Sequence, residues 1–217
     1  MNFSFKKTAL SLAVLAAMAG ADATPLMINV VTAGVDQVPT SFGGTLLDSA
    51  ITNINNSSYN GIARSAVYRT ETGLDFYYQF SNSPTSVNGI ERFTGFNFAP
   101  LGSAAVDVFQ TGNAFGIFTA GTEISDAADR TNLGVIGLNF VPNGASKINP
   151  GSTSFTQIIR TNASSYTAGS FGLLDGIGDN ARAFAPAVPE PQTYAMLLAG
   201  LGMVGTIIRR RRASKQG

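Results

Sequence analysis

The chain has 217 residues, 44% of them hydrophobic, with 14 basic and 13 acidic side chains and no cysteine or histidine. Without cysteine there are no disulfides, thiolate metal sites or cysteine-linked lipids. Without histidine there is no Ser-His-Asp or Cys-His catalysis and no His-ligated zinc or iron. The formal charge of +1 is unevenly spread: residues 24–186 carry seven basic groups against eleven acids, a net charge of −4. That stretch has no basic tract, which argues against nucleic-acid binding.

Residues 1–23 have the three zones of a secretory signal peptide. Lys6 and Lys7 form the charged zone, 9–19 the apolar zone, and Ala21-Asp22-Ala23 a small-x-small cleavage site. Cleavage is expected after Ala23, with Ala21 as the alternative. The chain is therefore expected to engage the general secretion machinery.

Residues 24–180 are expected to form one exported domain built from short strands. Leu74, Phe76, Tyr78 and Phe80 alternate with Asp75, Tyr77 and Gln79, the period of a half-buried strand. Residues 62–70 are expected to pair with it through the loop Glu71-Thr72-Gly73. Phe93, Phe96 and Phe98 break strict alternation, which suggests a bulge or a change of buried face. Further strands are expected around Val106 and Val108, at Phe115 and Ile117, at Ile136, Leu138 and Phe140, and over 154–161 and 166–174. Residues 53–60 read as a surface loop, and 122–132 as either the one stretch with a helical period or a polar loop with one helical turn. Strands separated by turn residues, with no helical period between them, imply a mainly β fold: an antiparallel sandwich or jelly roll. Residues 181–187 are rich in Ala and Pro and read as a semi-rigid spacer.

The last segment, 188–212, has three parts. Pro189 and Pro191 flank Glu190 and favour an extended backbone. Residues 194–208 carry no charge and are expected to form a short transmembrane helix with Tyr194 at one interface. Arg209, Arg210, Arg211 and Arg212 follow, a cluster that by the positive-inside rule stays in the cytoplasm with the tail 213–217. The uncharged run is short. At about 1.5 Å per residue it reaches about 22 Å, against a hydrocarbon core of about 30 Å.

Pro-Glu-Pro, apolar helix and basic cluster in this order resemble the PEP-CTERM sorting signal. The resemblance implies that an exosortase, a membrane protease-transpeptidase, recognises and cuts the tail near Pro189-Glu190-Pro191, with Glu190 a recognition residue. It also implies a single-pass inner-membrane stage, then a cell-surface protein linked to exopolysaccharide and biofilm. Residues 157–176 loosely resemble the terminal hairpin of other exported domains with this tail.

For chemistry within the domain, only carboxylates remain, and eleven scattered acids select no catalytic pair. No enzyme activity, cofactor or metal is therefore expected. The acidic loops Asp126 to Asp129 and Asp175 to Asp179 with Asn180 have Ca²⁺-compatible oxygens but read more simply as turns. Tyr59 and Tyr166 are the candidate sugar platforms for the rival reading, a glycan-binding module. A carboxylate hydrolase ranks third.

Overall fold

The computed structural model describes residues 24–38, 42–95, 97–102, 106–141, 147–187, 198–201 and 203. They build two packed sheets. The first contains β1 (Thr24–Pro25), β3 (Asp36–Gln37), β4 (Thr45–Asn55), β5 (Asn60–Arg69), β6 (Leu74–Asn82), β8 (Val106–Thr111) and β11 (Thr156–Thr161). Its order is β1-β8-β11-β6-β5-β4, with β3 added parallel to β8. The second contains β2 (Val31–Ala33), β7 (Arg92–Gly95), β9 (Ala127–Arg130), β10 (Ile136–Asn139), β12 (Tyr166–Asp175) and β13 (Ile177–Pro186), in the order β13-β12-β7-β10-β9-β2. The mainly β, two-sheet expectation holds.

The core lies between the sheets. Leu74, Phe76, Tyr78 and Phe80 of β6 meet Phe93, Leu138, Phe171 and Phe184 from the opposite sheet. Their rings pack edge-on or tilted, Tyr78 on Phe171 at 5.2 Å and Phe93 on Phe171 at 5.5 Å. The β5–β6 hairpin forms as the pattern predicts, with Arg69 opposite Leu74.

The alternation in β6 does not mean a solvent face. Asp75, Tyr77 and Gln79 are buried as well, beneath a second layer made of loops. Tyr77 packs with Phe109, Phe118 and Ile158, and Phe42, Phe115 and Ile117 cover them. Gln79 holds one covering loop through its amide: Nε2 donates to Thr119 O at 2.7 Å, and Oε1 accepts from Thr119 N at 3.0 Å. Gln110 holds the next, with Nε2 on Val35 O and Oε1 accepting from Ser125 N. These side chains supply the hydrogen bonds that a buried irregular backbone needs.

Other expectations need correction. Residues 181–186 are not a spacer: β13 continues to Pro186, paired with β12 along its whole length, with Ala181, Ala183 and Ala185 buried. Residues 53–55 end the eleven-residue β4, so the proposed surface loop shrinks to the turn into β5. Residues 127–130 are strand β9. Phe115 and Ile117 belong to a tight turn closed by the Phe115–Phe118 bridge. After Phe93 the strand stops at Gly95, and Asn97 at φ 69 leads into a 3-10 turn at Ala99–Leu101.

The expected transmembrane helix over 194–208 is also corrected. Among the described residues helix is confined to 198–201 and 203, and no helix is long and apolar enough to cross a membrane. The physical reason is already in the sequence: the run is short, and Gly200, Gly202 and Gly205 weaken it as a helix. The inner-membrane stage and the membrane contact that depended on that span fall with it. Residues 1–23 and the rest of 194–208 lie outside the described residues.

β13 explains several buried hydroxyls. It is an edge strand, yet three of its outward backbone groups are satisfied by the facing sheet. Ser65 Oγ donates to Arg182 O at 2.8 Å, Tyr78 Oη donates to Phe184 O at 2.8 Å, and Thr52 Oγ1 accepts from Arg182 N at 3.2 Å. Pro186 has no N–H to satisfy. The sandwich is thus closed along this side.

Candidate functional site

The chain leaves the domain at a fixed point. The last hydrogen bond of the terminal hairpin runs from Ala187 N to Ser165 O at 3.0 Å, and Tyr166 stacks edge-on against Phe184 at 5.8 Å. A small cleft of about 240 Å³ lies beside this exit, lined by Pro100, Leu101, Asn162, Ala163, Ser164 and Pro186 together with Ala187. Two residues of chain span at most about 7 Å. Pro189 therefore starts within that reach of the folded domain.

Of the residues singled out from sequence, Ala21, Ala23, Pro189, Glu190, Pro191 and Arg209 to Arg212 lie outside the described residues. The acidic candidates are placed: the carboxylates of Asp129, Asp175 and Asp179 have structural partners, while Asp126 is held through its backbone, its N–H on Asn139 O and its C=O accepting from Gly34 N. Asp129 is in β9 and makes a two-toothed ion pair with Arg92, 2.6 Å from Nη1 to Oδ1 and 2.8 Å from Nη2 to Oδ2. That hydrogen bonding holds the Asp129 carboxyl below the usual carboxylate range, against the opposing effect of burial. Gly137 makes room for this pair, because a Cβ there would collide with the Arg92 guanidinium.

Asp175 ends β12 and accepts from Ser58 Oγ at 2.8 Å and from Lys147 Nζ at 3.3 Å. Lys147 is also 2.6 Å from Glu91, which is the main reason its pKa is raised. Asp179 accepts from Asn56 Nδ2 at 3.4 Å. These contacts clamp the β12–β13 turn, where Gly176 takes φ 66, to the β4–β5 turn. Asp126 and Asp129 do not form a loop together. Among the described residues, no group of three His, Cys, Asp or Glu is placed to hold a metal.

Tyr59 is not an exposed platform. It is fully buried, its Oη donating to Leu173 O at 2.8 Å, and burial pushes its pKa up. Tyr166 is half-buried beside the chain exit.

Sequence reasoning missed two clefts on the first sheet. One, of about 550 Å³, is lined by Phe42, Gly44, Thr45, Arg69, Glu71 and Arg160, with Thr70 and Thr72. Arg160 lies 3.6 Å over the Phe42 ring and grips the fully buried Asp75, with Nη2 2.9 Å from Oδ2. Burial raises the Asp75 pKa despite that partner. An arginine inside the apolar strand Gln157-Ile-Ile-Arg-Thr was the available signal, since such a charge needs a buried counter-charge. The other cleft, of about 660 Å³, has no charged residue in its wall. Asn53, Asn55, Asn60, Ser81, Ser83 and Thr85 supply amides and hydroxyls around Ile62 and Pro84.

Beyond the exit point the comparison with known families is decisive. A family model described as the PEP-CTERM protein-sorting motif matches residues 187–212. The chain carries a PEP-CTERM sorting motif. It begins at the residue whose N–H makes the last hydrogen bond of the sandwich, so domain and motif adjoin without a spacer. The motif is consistent with export and attachment at the cell surface. No curated protein and no solved structure matches the chain.

Proposed function

We propose that this is an exported cell-surface or matrix protein, and that the folded sandwich is the cargo of its PEP-CTERM segment. An exosortase reads Pro189-Glu190-Pro191, cuts beside it, and joins the new end to a surface acceptor. Glu190 serves as a charge or hydrogen-bond acceptor for the enzyme and has no catalytic role, because this chain is the substrate. The carrying observation is the adjoining of the matched segment 187–212 to the last paired residue of β13. Prolines on both sides of Glu190 disfavour helix, so the segment enters a protease cleft without first being unwound. In this reading the sandwich works as a structural element of an exopolysaccharide-associated surface and not as an enzyme. Its polar groups support that role: Asp75, Asp129, Asp175 and Asp179 are all engaged in holding strands and turns together.

The test is to replace Pro189-Glu190-Pro191 with three alanines in a host that has the exosortase. The parent is expected to reach the surface in a shortened form and the variant to accumulate unshortened. Equal processing of both would reduce the motif to a stiff stalk.

A second reading, a glycan-binding module, is favoured by the uncharged cleft of Asn, Ser and Thr side chains around Ile62. Amides and hydroxyls both donate and accept, as sugar hydroxyls do. Saturable, micromolar recognition of one sugar on a glycan array, run with and without Ca²⁺, would favour this reading over the purely structural one.

A further inference from the structure

The four lateral edges of the two sheets are treated very differently. β13 is engaged along its second half by Thr52, Ser65 and Tyr78, at Arg182 and Phe184. β1 has two residues and β2 three, too short to template another chain. Among the described residues β4 ends its sheet, is eleven residues long, and pairs only with β5.

None of the usual protections is present along most of β4. Its sequence, Thr-Leu-Leu-Asp-Ser-Ala-Ile-Thr-Asn-Ile-Asn, has no proline and no lysine, and Asp48 is its only charge. Its one register shift lies between Leu46 and Asp48, so 48–55 run in unbroken register with β5.

The register also shows which backbone groups are free. Asn56 N bonds Tyr59 O, so in β4 the residues at 54, 52, 50 and 48 exchange hydrogen bonds with β5. The N–H and C=O groups at 49, 51, 53 and 55 then point away from the sheet. Ser49 N is met by its neighbour Asp48 Oδ1 at 2.7 Å. Ile51 stands at the middle of the free stretch with its side chain 61% exposed.

We infer that β4 is the interface for a second copy of this chain, pairing antiparallel with its own equivalent across a two-fold axis at Ile51. An antiparallel strand pair is self-complementary under such an axis, so each copy offers the same surface. In this register Ile51 faces the Ile51 of the second copy and covers the largest exposed apolar side chain of the strand. Ser49 faces Asn53 of the second copy, and Asp48 faces Ile54, so no like charges oppose each other. The two seven-stranded sheets become one continuous sheet. The proposal is independent of how the tail is processed.

The lack of cysteine makes the test clean. In the full chain, kept soluble in a mild detergent, Ile51→Cys is compared with Leu133→Cys, a still more exposed site in the β9–β10 turn of the other sheet. A hydrogen-bonded antiparallel pair sets Cα atoms about 5.5 Å apart, within the range a disulfide spans. The mass of the parent and of Ile51→Lys is measured alongside by light scattering. The expected results are a dimeric parent, a monomeric Ile51→Lys, and cross-linking at position 51 roughly tenfold or more faster than at 133, as specific edge pairing requires. A monomeric parent, a dimer indifferent to Ile51→Lys, or equal cross-linking at both positions would overturn it.

Discussion

Tyr78→Phe and Ser65→Ala test whether side-chain hydroxyls close the sandwich over β13. Both changes are nearly isosteric, so the Tyr78 ring keeps its contact with Phe171 and no sizeable cavity opens. What is lost is one hydrogen bond each, to Phe184 O and to Arg182 O. Phe184 is buried, and a buried carbonyl left unpaired costs about 1–3 kcal/mol, so Tyr78→Phe is expected to cost about 2 kcal/mol. Arg182 is more exposed and water can replace Ser65, which puts Ser65→Ala nearer 1 kcal/mol. For a domain of this size the pair together should lower Tm by roughly 6–12 °C. Urea denaturation of single and double variants gives the free energies, and amide exchange along β13 locates the loss. If the double variant stays within about 0.5 kcal/mol of the parent, a typical surface effect, the hydroxyls do not hold this edge.

Two further predictions concern the part-exposed Arg92–Asp129 pair on the outer face of the second sheet. Because Asp129 titrates lower in the folded chain, its stabilisation is present above the unfolded carboxylate pKa of about 3.9 and is lost as pH falls through the lower folded value. Asp129→Asn should therefore be less stable than the parent near pH 7, the two converging toward pH 2 in urea midpoints. Gly137→Ala should displace the flexible Arg92 guanidinium and so cost what its pair with Asp129 contributes, about 1 kcal/mol or less, with the acid-limb difference from the parent resembling that of Asp129→Asn.

The strands legible in the sequence are those whose apolar residues are large and evenly spaced. β6, β10 and the second half of β12 show period two because Phe, Tyr, Ile and Leu fill a wide gap between sheets, while β11 stood out as a short apolar run whose Ile158 and Ile159 enter different layers. β13 was misread because its buried side chains at 181, 183 and 185 are alanines, which are also spacer residues. β4 was missed, and its end read as a surface loop, because its inner face offers mostly small or polar side chains beside Leu47 and Ile54, while its edge carries Asn and Ser. The second layer was invisible for a different reason. Gln79 and Gln110 look like solvent-facing polar positions, and only the fold shows them binding the backbone of covering loops. Tyr59 was misjudged in the same way, its polar neighbours being the turn it supports. The sorting motif was legible because proline, glutamate and a basic cluster act through covalent order and charge, with no long-range packing required. The apolar run between them was read as a membrane span from its lack of charge, Tyr194 and the basic cluster, although its length was already short for one.

The most direct measurement for the central reading is the intact mass of the protein recovered from the cell surface. If the sandwich is cargo released by its PEP-CTERM segment, the surface form ends close to Pro189-Glu190-Pro191 and lacks residues 195–217, with β13 and Ala187 retained. A surface form that still ends at Gly217 would contradict it.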